Sequence, residues 1–252
     1  MTANVLNEYL GKNAESRQVE LNCSNCMPGQ YAIYAPSVAA SPDELRALRS
    51  KVEGCRPGRL ILREGESLNL FGTLRSGWAF RFKNLGGGRR QILGFLLPGD
   101  PVTMEKLWIG NRSLPYSVAA ITGTVVCWFP LDEMILFTQQ PGAQAQYAQH
   151  LAHRYYWAAA ERLAALGQKS AHARTALLML QLVKRLKERN LSIDHCYEFP
   201  LTQSHIADAV GVTTVHANRI LRDLTKRGVL EIKGKVMRVH DEIELKRVFD
   251  EE

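Results

Sequence analysis

Residues 199–240 read FPLTQSHIADAVGVTTVHANRILRDLTKRGVLEIKGKVMRVH and carry the clearest pattern in the chain. Thr202 is suited to cap a helix, because its hydroxyl can accept a hydrogen bond from a backbone N–H of the first turn. Gly211 supplies a sharp turn, since glycine takes left-handed backbone angles without steric cost. A second helix starts near Thr213, and the small side chain of Ala207 lets the two helices approach closely. This spacing predicts a helix-turn-helix.

The second helix of this unit has two chemically different faces. Its packing positions are apolar: Val215, Ala217, Ile220, Leu221 and Leu224. Its other face is polar or basic: Thr214, His216, Asn218, Arg219 and Arg222. Residues 231–239 then predict two short strands around a glycine turn, which form a wing. Between Thr202 and His240 there are 7 Lys and Arg residues against 3 Asp and Glu residues. We therefore predict a winged helix-turn-helix that binds double-stranded DNA.

Composition limits the class of protein. The 252 residues are enough for two domains with their own cores. A hydrophobic content of 46% and a charged content of 23% are typical of a soluble globular protein, and the net charge of +7 adds weak support for an anionic partner. The sequence lacks a signal-peptide pattern and any apolar run of the roughly 20 residues that cross a bilayer. We expect a cytoplasmic protein without a membrane partner, whose cysteines are thiols, metal ligands or redox groups.

The segment from Gly54 to about Pro130 alternates short apolar runs with Gly and Pro turns. Strands are expected within residues 59–63, 71–82, 89–95, 116–121 and 124–129. The three glycines at 86–88 predict a hairpin connection. Short strands at this spacing are typical of an antiparallel β-barrel or jelly roll. Residues 190–198 are expected to form a loop.

A long helix is predicted over residues 142–166. Its apolar face contains Leu151, Tyr155, Ala158, Leu163 and Leu166. The mixture of aromatic residues and alanine suits close pairing with a second copy of the helix, and contact with the chain's own core is the alternative. A further helix is predicted over residues 171–186, with a hinge at 167–170.

Four motifs occur in a characteristic order along the chain. They are LRSG at 74–77, FLLPGD at 95–100, LTQSHIAD at 201–208 and NRIL at 218–221. With these motifs the chain resembles the CRP/FNR family of bacterial transcription regulators, in the FNR/FixK-like branch that does not use cyclic nucleotides. The resemblance implies a homodimer on a near-palindromic operator, with RNA polymerase as a further partner.

The same resemblance implies an α+β fold with four parts. The barrel is a double-stranded β-helix, a jelly roll like that of cyclic-nucleotide-binding domains. The expected parts are an N-terminal arm with a Cys-x-x-Cys motif (1–40), the sensor barrel (41–138), a dimerisation helix (139–168) and the winged helix-turn-helix (169–252).

The family also implies roles for individual residues in DNA binding. Thr202, Thr213 and Gln203 match phosphate contacts, whereas Thr214, Val215, Asn218 and Arg219 match positions that touch base edges. Arg219 matches the arginine that reads guanine through O6 and N7. Val215 stands where the family usually has Glu, so it can contact a thymine methyl or pack but cannot accept a hydrogen bond from cytosine. His216 and Arg222 complete the predicted DNA-binding set.

The effector is predicted from the barrel and the cysteines. Cyclic-nucleotide members carry a Gly-Glu pair and an Arg-Ser/Thr pair, and residues 100–118 contain neither. We expect no cyclic AMP binding, because the motif's cation for the phosphate is missing. Oxygen-sensing members hold a 4Fe–4S cluster on three N-terminal cysteines and one barrel cysteine. Cys23, Cys26 and Cys127 match three of these ligands, and Cys55 would have to replace the fourth.

The sequence leaves three signals open: a 4Fe–4S cluster, thiol oxidation, and no effector. The predicted function is a homodimeric DNA-binding regulator that responds to a redox or oxygen signal through its cysteines. A constitutive or small-ligand-responsive regulator without metal is the alternative. A cupin-like metal-binding or enzyme module is more remote, because clustered His and Glu ligands are missing. We do not expect an enzyme, since GxxxxGK(S/T), HExxH and GxSxG motifs are absent.

Overall fold

A computed structural model describes residues 26–36, 42–109, 113–139 and 141–250. The described residues form two compact units, and the boundary between them falls after Tyr156, inside the longest helix. The predicted domain limits at 138 and 168 stay predictions. Within the described ranges, no helix is both long enough and apolar enough to cross a membrane.

The first unit is built mainly from β-strands. Its elements are α1 (Pro42–Leu48), β1 (Lys51–Cys55), β2 (Leu60–Leu62), β3 (Leu70–Ser76), β4 (Ala79–Asn84), β5 (Arg90–Leu96), α2 (Lys106–Ile109), β6 (Ser117–Ala120), β7 (Thr124–Pro130) and α3 (Leu131–Gln139). Two antiparallel sheets form the barrel, with strand orders β1-β7-β3 and β2-β6-β4-β5. The helix α4 (Ala143–Gln168) follows and continues into the second unit.

The strands predicted from sequence are present, and the three glycines form the turn between β4 and β5. One strand was not predicted. β1 pairs with β7 along Lys51–Cys55, but its residues are mostly exposed and show no alternation. β1 is a strand because it pairs with β7, and its own sequence has no alternating apolar pattern that would predict a strand.

Tight packing fills the barrel interior. Trp78 and Trp128 are 1% and 2% exposed. Gly72 lies against the Trp128 ring so closely that a Cβ at this position would be 2.6 Å from a ring carbon. The surrounding apolar cluster consists of Leu62, Leu74, Ala79, Leu96, Val102, Leu114, Tyr116, Val118 and Val126.

A charged group is also enclosed in this unit. The Arg81 side chain on β4 is 11% exposed and lies 3.5 Å from the carboxylate of Glu105. Its Nη2 donates to the carbonyl of Pro101 at 2.5 Å, and Tyr116 donates its hydroxyl to Glu105. Burial alone would lower the pKa of Arg81, but the nearby Tyr116 and Glu105 hold that pKa above its usual value. The barrel therefore supplies partners for Nη1 and Nη2 of this guanidinium, whereas its buried Nε has no hydrogen-bond partner among the described residues.

The first half of α4 packs within its own chain. Leu151 is 6% exposed and belongs to a core cluster with Phe129 and Met134. The Tyr155 hydroxyl donates to Oδ1 of buried Asp100 at 2.7 Å. Oδ2 of this carboxylate accepts from the backbone N–H of Leu97 at 2.6 Å. Leu151 and Tyr155, which we assigned to the dimerisation face, are thus engaged in the chain's own core.

The second unit contains the end of α4 and the C-terminal elements. These are α5 (Ala171–Glu188), β8 (Ser192–Ile193), β9 (Cys196–Glu198), α6 (Gln203–Val210), α7 (Thr214–Lys226), β10 (Leu230–Lys233), β11 (Val236–Val239) and α8 (Glu242–Asp250). The strands form one antiparallel sheet in the order β10-β11-β9-β8. The loop predicted for residues 190–198 is wrong, because two short strands there join the wing sheet. The predicted α+β fold, with a barrel, long helices and a C-terminal helix-turn-helix, is confirmed.

Tyr155→Phe tests the hydrogen bond that ties α4 to Asp100. We expect it to lower the free energy of unfolding by about 1–3 kcal/mol, because a buried carboxylate loses a hydrogen-bond donor. Tyr156→Phe is the matched control, since Tyr156 is 67% exposed, and it should change stability by less than about 0.5 kcal/mol. Urea denaturation measures both variants. Equal stability of the two variants would contradict this role of Tyr155.

Gly77→Ala tests the turn between β3 and β4. Gly77 has φ +79°, and a Cβ there would lie 2.2 Å from the carbonyl oxygen of Gly123. Gly87→Ala is the control, since Gly87 has φ +72° but no heavy atom within 4 Å of a Cβ. Both variants carry the left-handed strain of about 1–2 kcal/mol, and only Gly77→Ala adds a clash of about 1–3 kcal/mol. A urea titration in which the two unfold at the same midpoint would refute the clash.

Candidate nucleic-acid interface

The first helix of the motif, α6, begins at a reciprocal cap. Thr202 Oγ1 accepts from the backbone N–H of His205 at 3.2 Å, and the Thr202 N–H donates to Nδ1 of His205 at 3.2 Å. The predicted capping role of Thr202 is confirmed. The His205 ring is therefore used within its own helix. The cap fixes the first turn of α6 at the surface.

The turn between the helices is fixed by the backbone. Gly211 has φ 75° and ψ 44°, in the left-handed region, as predicted. The N–H groups of Gly211 and Val212 donate to the carbonyl of Ala207 at 2.9 and 3.1 Å. Ala207 is 2% exposed, so a larger side chain has no space there. These contacts determine how α7 leaves the turn.

The second helix, α7, begins at Thr213, whose Oγ1 accepts from the His216 N–H at 3.2 Å. Its buried face consists of Ala217, Ile220 and Leu224, which are 0% exposed. Val215 is 72% exposed, so the prediction that it packs is wrong. At about 100° per residue, Val215 lies almost opposite Ala217 on the helix.

The outer face of α7 forms a shallow basic groove. It is lined by Val215, Asn218, Arg219, Arg222, Asp223 and Lys226. Three cations stand against one anion, and Asp223 lies 3.6 Å from the imidazole of His172. Sequence reasoning missed Lys226 as a site residue. Its position eleven residues after Val215, three helical turns later, is the signal that could have found it.

A side-chain hydrogen bond joins the two helices beside this groove. Nδ2 of Asn218 on α7 donates to Oε1 of Gln203, the first residue of α6, at 3.0 Å. Neither residue was predicted to contact the other. Gln203, which we predicted to contact phosphate, is thus hydrogen-bonded to Asn218, which we predicted to contact a base.

The wing presents its own charges. Glu231 and Lys233 form an ion pair of 2.8 Å, and the hydrogen bond from Lys233 lowers the pKa of Glu231. Lys233 is 78% exposed at its side chain. On the adjoining strand, Arg238 Nε donates to the sulfur of buried Cys196 at 3.1 Å. The hydrogen bond to Cys196 raises the pKa of Arg238.

The structure brings two of the predicted cysteine ligands together. Cys26 and Cys127 line one small cavity of about 10 Å³, about the space for one water molecule. The remaining wall of this cysteine cavity is formed by Tyr34, Leu45, Arg49, Arg75 and Phe129. Cys23 lies outside the described residues.

Cys55 is not part of that cavity. In the β1–β7 ladder Cys127 is opposite Val52, and Cys55 is opposite Thr124. Because side chains alternate along a strand, three positions of separation place Cys55 on the other face of the sheet. Burial raises the pKa of its thiol, and the charge of Arg59 opposes that shift. Among the residues that the structure describes, no group of three or more His, Cys, Asp or Glu could hold a metal ion.

Comparisons with known proteins agree with both halves of the chain. The family model of the Crp-like helix-turn-helix domain matches residues 173–248. The model of the cyclic nucleotide-binding domain matches residues 53–140. The first match contains the whole of α6, α7 and the wing, and the second contains most of the barrel.

The matched relatives are regulators. The transcriptional activator protein FnrL of Cereibacter sphaeroides is 29% identical over 84% of this chain and 85% of its own length. FnrA of Stutzerimonas stutzeri is 25% identical over 90% of this chain and 92% of its own length. The structure of FixK2 from Bradyrhizobium japonicum superimposes with a TM-score of 0.69 over 79% of this chain and 96% of its own, at 23% identity. The chain therefore belongs to the CRP/FNR family and is a DNA-binding transcriptional regulator.

Proposed function

We propose that two copies of this chain bind a near-palindromic operator, each inserting α7 into the major groove. The observation that carries this proposal is the outer face of α7. Val215, Arg219 and Lys226 project opposite the buried stripe, so the helix can be buried on one side and read DNA on the other. A major groove about 12 Å wide admits one helix.

The proposed contacts divide into two kinds. Thr202, Gln203 and Thr213 lie at the helix starts, where exposed N–H groups and the helix dipole favour phosphate. Thr214, Val215, His216, Asn218, Arg219 and Arg222 are proposed for the groove. Arg219 is suited to guanine, because its planar guanidinium can donate to O6 and N7 together. Lys226 joins the set through its place on the same face.

Pairing of two copies is proposed through the second half of α4. Leu163 and Leu166 are 72% and 39% exposed and lie three residues apart. They and Ala158 remain from the predicted pairing face, since Leu151 and Tyr155 are used within the chain. We propose that a second copy of the chain covers these residues, because a near-palindromic operator requires two recognition helices related by a two-fold axis. RNA polymerase is the expected further partner, and the cytoplasm is the expected location.

We propose that the signal is redox in kind and is read at the cysteine cavity. A 4Fe–4S cluster needs four ligands. Of the predicted ligands, the described residues place Cys26 and Cys127 at this cavity and Cys55 on the other face of the sheet. Cys26 and Cys127 line this cavity together with Arg49 and Arg75. A cysteine thiolate is the group that an oxidant converts to a sulfenic acid or, with a second thiol, to a disulfide.

A constitutive regulator is the second candidate, and the Arg81 cluster favours it. A phosphate bound inside the barrel would need a cation, and Arg81 already pairs with Glu105 and the Pro101 carbonyl. This pairing also supports the proposal that cyclic AMP is not the effector. The contacts of Arg81 and the bond from Tyr155 to Asp100 hold the barrel and α4 together without a ligand, although Nε of Arg81 has no hydrogen-bond partner among the described residues.

Arg219→Ala tests the proposed DNA contact. We expect affinity for a guanine-containing operator to fall by about 1–3 kcal/mol, roughly 5- to 150-fold, because a bidentate base contact is lost. Fluorescence anisotropy with a labelled duplex measures the change. Arg56→Ala is the control, since Arg56 is an exposed arginine of the barrel unit. Unchanged operator affinity in Arg219→Ala, with an intact fold, would exclude the proposal.

Cysteine variants test the proposed signal. Wild-type protein purified without oxygen should change its operator affinity on exposure to peroxide, and Cys26→Ser or Cys127→Ser should abolish that response. Cys55→Ser should keep it, because Cys55 faces away from the cavity. Iron content and the visible spectrum of the anaerobic protein separate bare thiols from a cluster. A peroxide response that survives in both Cys26→Ser and Cys127→Ser would rule out this cavity as the sensor and favour the constitutive candidate or another site.

A further inference from the structure

We propose that Asn218 reads an adenine in each half-site and that Gln203 positions it for that task. This inference rests on the proposed insertion of α7 into the major groove. The proposed function places Asn218 in the groove but does not say which base it contacts, and this inference names that base.

The hydrogen bond between the two side chains is the starting observation. Asn218 Nδ2 donates to Gln203 Oε1 at 3.0 Å, across the junction of α6 and α7. A free asparagine amide rotates widely about its last torsion angle. A partner on a second helix restricts that rotation, so the amide plane is set before DNA arrives.

Asn218 has groups left for a base. An asparagine amide has two N–H donors and one carbonyl oxygen with two lone pairs. One donor is used by Gln203, which leaves one N–H and Oδ1. In the proposed arrangement the N–H on the Cβ side bonds Gln203, so that the N–H next to Oδ1 is kept for the base. Asn218 also lines the groove beside Arg219. The amide therefore presents one donor and one acceptor at the surface where bases would lie.

The edges of the four bases decide what this pair can recognise. In the major groove, adenine shows an acceptor at N7 beside a donor at N6. Guanine shows two acceptors, cytosine one donor, and thymine one acceptor beside a methyl group. A fixed donor–acceptor pair makes two hydrogen bonds only with adenine. The other bases leave one group of the amide unsatisfied.

Gln203 adds a link to the backbone. Its Oε1 is used by Asn218, and its Nε2 keeps two donors that can bind a phosphate oxygen at the start of α6. A phosphate held there would fix Gln203, and Gln203 would in turn fix Asn218. Gln203 would thus couple the position of the protein on the DNA backbone to the recognition of the base by Asn218. Gln203 is a positioning residue in this arrangement.

The test is selection of duplexes from a randomised pool by the full-length protein. Wild type should enrich a half-site with the guanine of Arg219 and an adenine within about two base pairs, since successive helix residues rise 1.5 Å and base pairs about 3.4 Å. Asn218→Ala should lose the adenine preference, about 5- to 150-fold, and keep the guanine. Gln203→Leu should reduce the adenine preference several-fold. Ser204→Ala, an exposed neighbour on α6, should select the wild-type sequence.

The outcomes separate this inference from the proposed function. Enrichment of the same adenine by wild type and Asn218→Ala would overturn the inference, and so would loss of a base other than adenine. If Asn218→Ala still selects the guanine, the same experiment shows that its recognition helix is folded. If wild type enriches no sequence at all, the proposed function fails as well.

Discussion

The close approach of two short helices at Ala207 and Gly211 is the constraint on which the DNA-binding surface depends. One carbonyl accepts two backbone N–H groups there, and the left-handed conformation of Gly211 allows that geometry. Glycine adopts it without the steric cost that other residues carry. Because the turn is fixed, the caps at Thr202 and Thr213 are held at the surface and the basic face of α7 points outward. Because backbone hydrogen bonds hold the turn and both helix starts, we expect DNA binding to require little further ordering of this backbone.

The barrel unit is organised around a different requirement, the pairing of a buried cation. An enclosed charge is costly unless partners surround it, and Arg81 finds them in Glu105 and the Pro101 carbonyl. Asp100, in the same turn region, also accepts a hydrogen bond from Tyr155 on α4. We propose that a signal at the cysteine cavity acts by shifting the population of positions that α4 occupies. The proposed signal would have to overcome these contacts, and a chain in which they prevail corresponds to the constitutive candidate.

Local rules predicted the parts of the structure that depend on local chemistry. The cap at Thr202, the turn at Gly211 and the glycine hairpin at 86–88 each follow from a few neighbouring residues. Parts that depend on distant partners were missed. Residues 192–193 and 196–198 are too short to show a period, and they become strands only against the wing. The apolar repeat of α4 does not show which residues pack in the chain's own core and which pair with a second copy. Leu151 fits the helical repeat equally well in both roles. Cys55 was grouped with Cys127 because sequence does not show which face of a sheet a residue occupies.

The central claim is that a symmetric pair of chains places Arg219 against guanine in the major groove. Protection of guanine N7 from dimethyl sulfate on a bound operator tests it most directly, because methylation and the arginine compete for the same atom. We predict two protected guanines related by a two-fold axis and about one helical turn apart, roughly 10 base pairs. A bound duplex with no protected guanine, or with protection in only one half, would contradict the account.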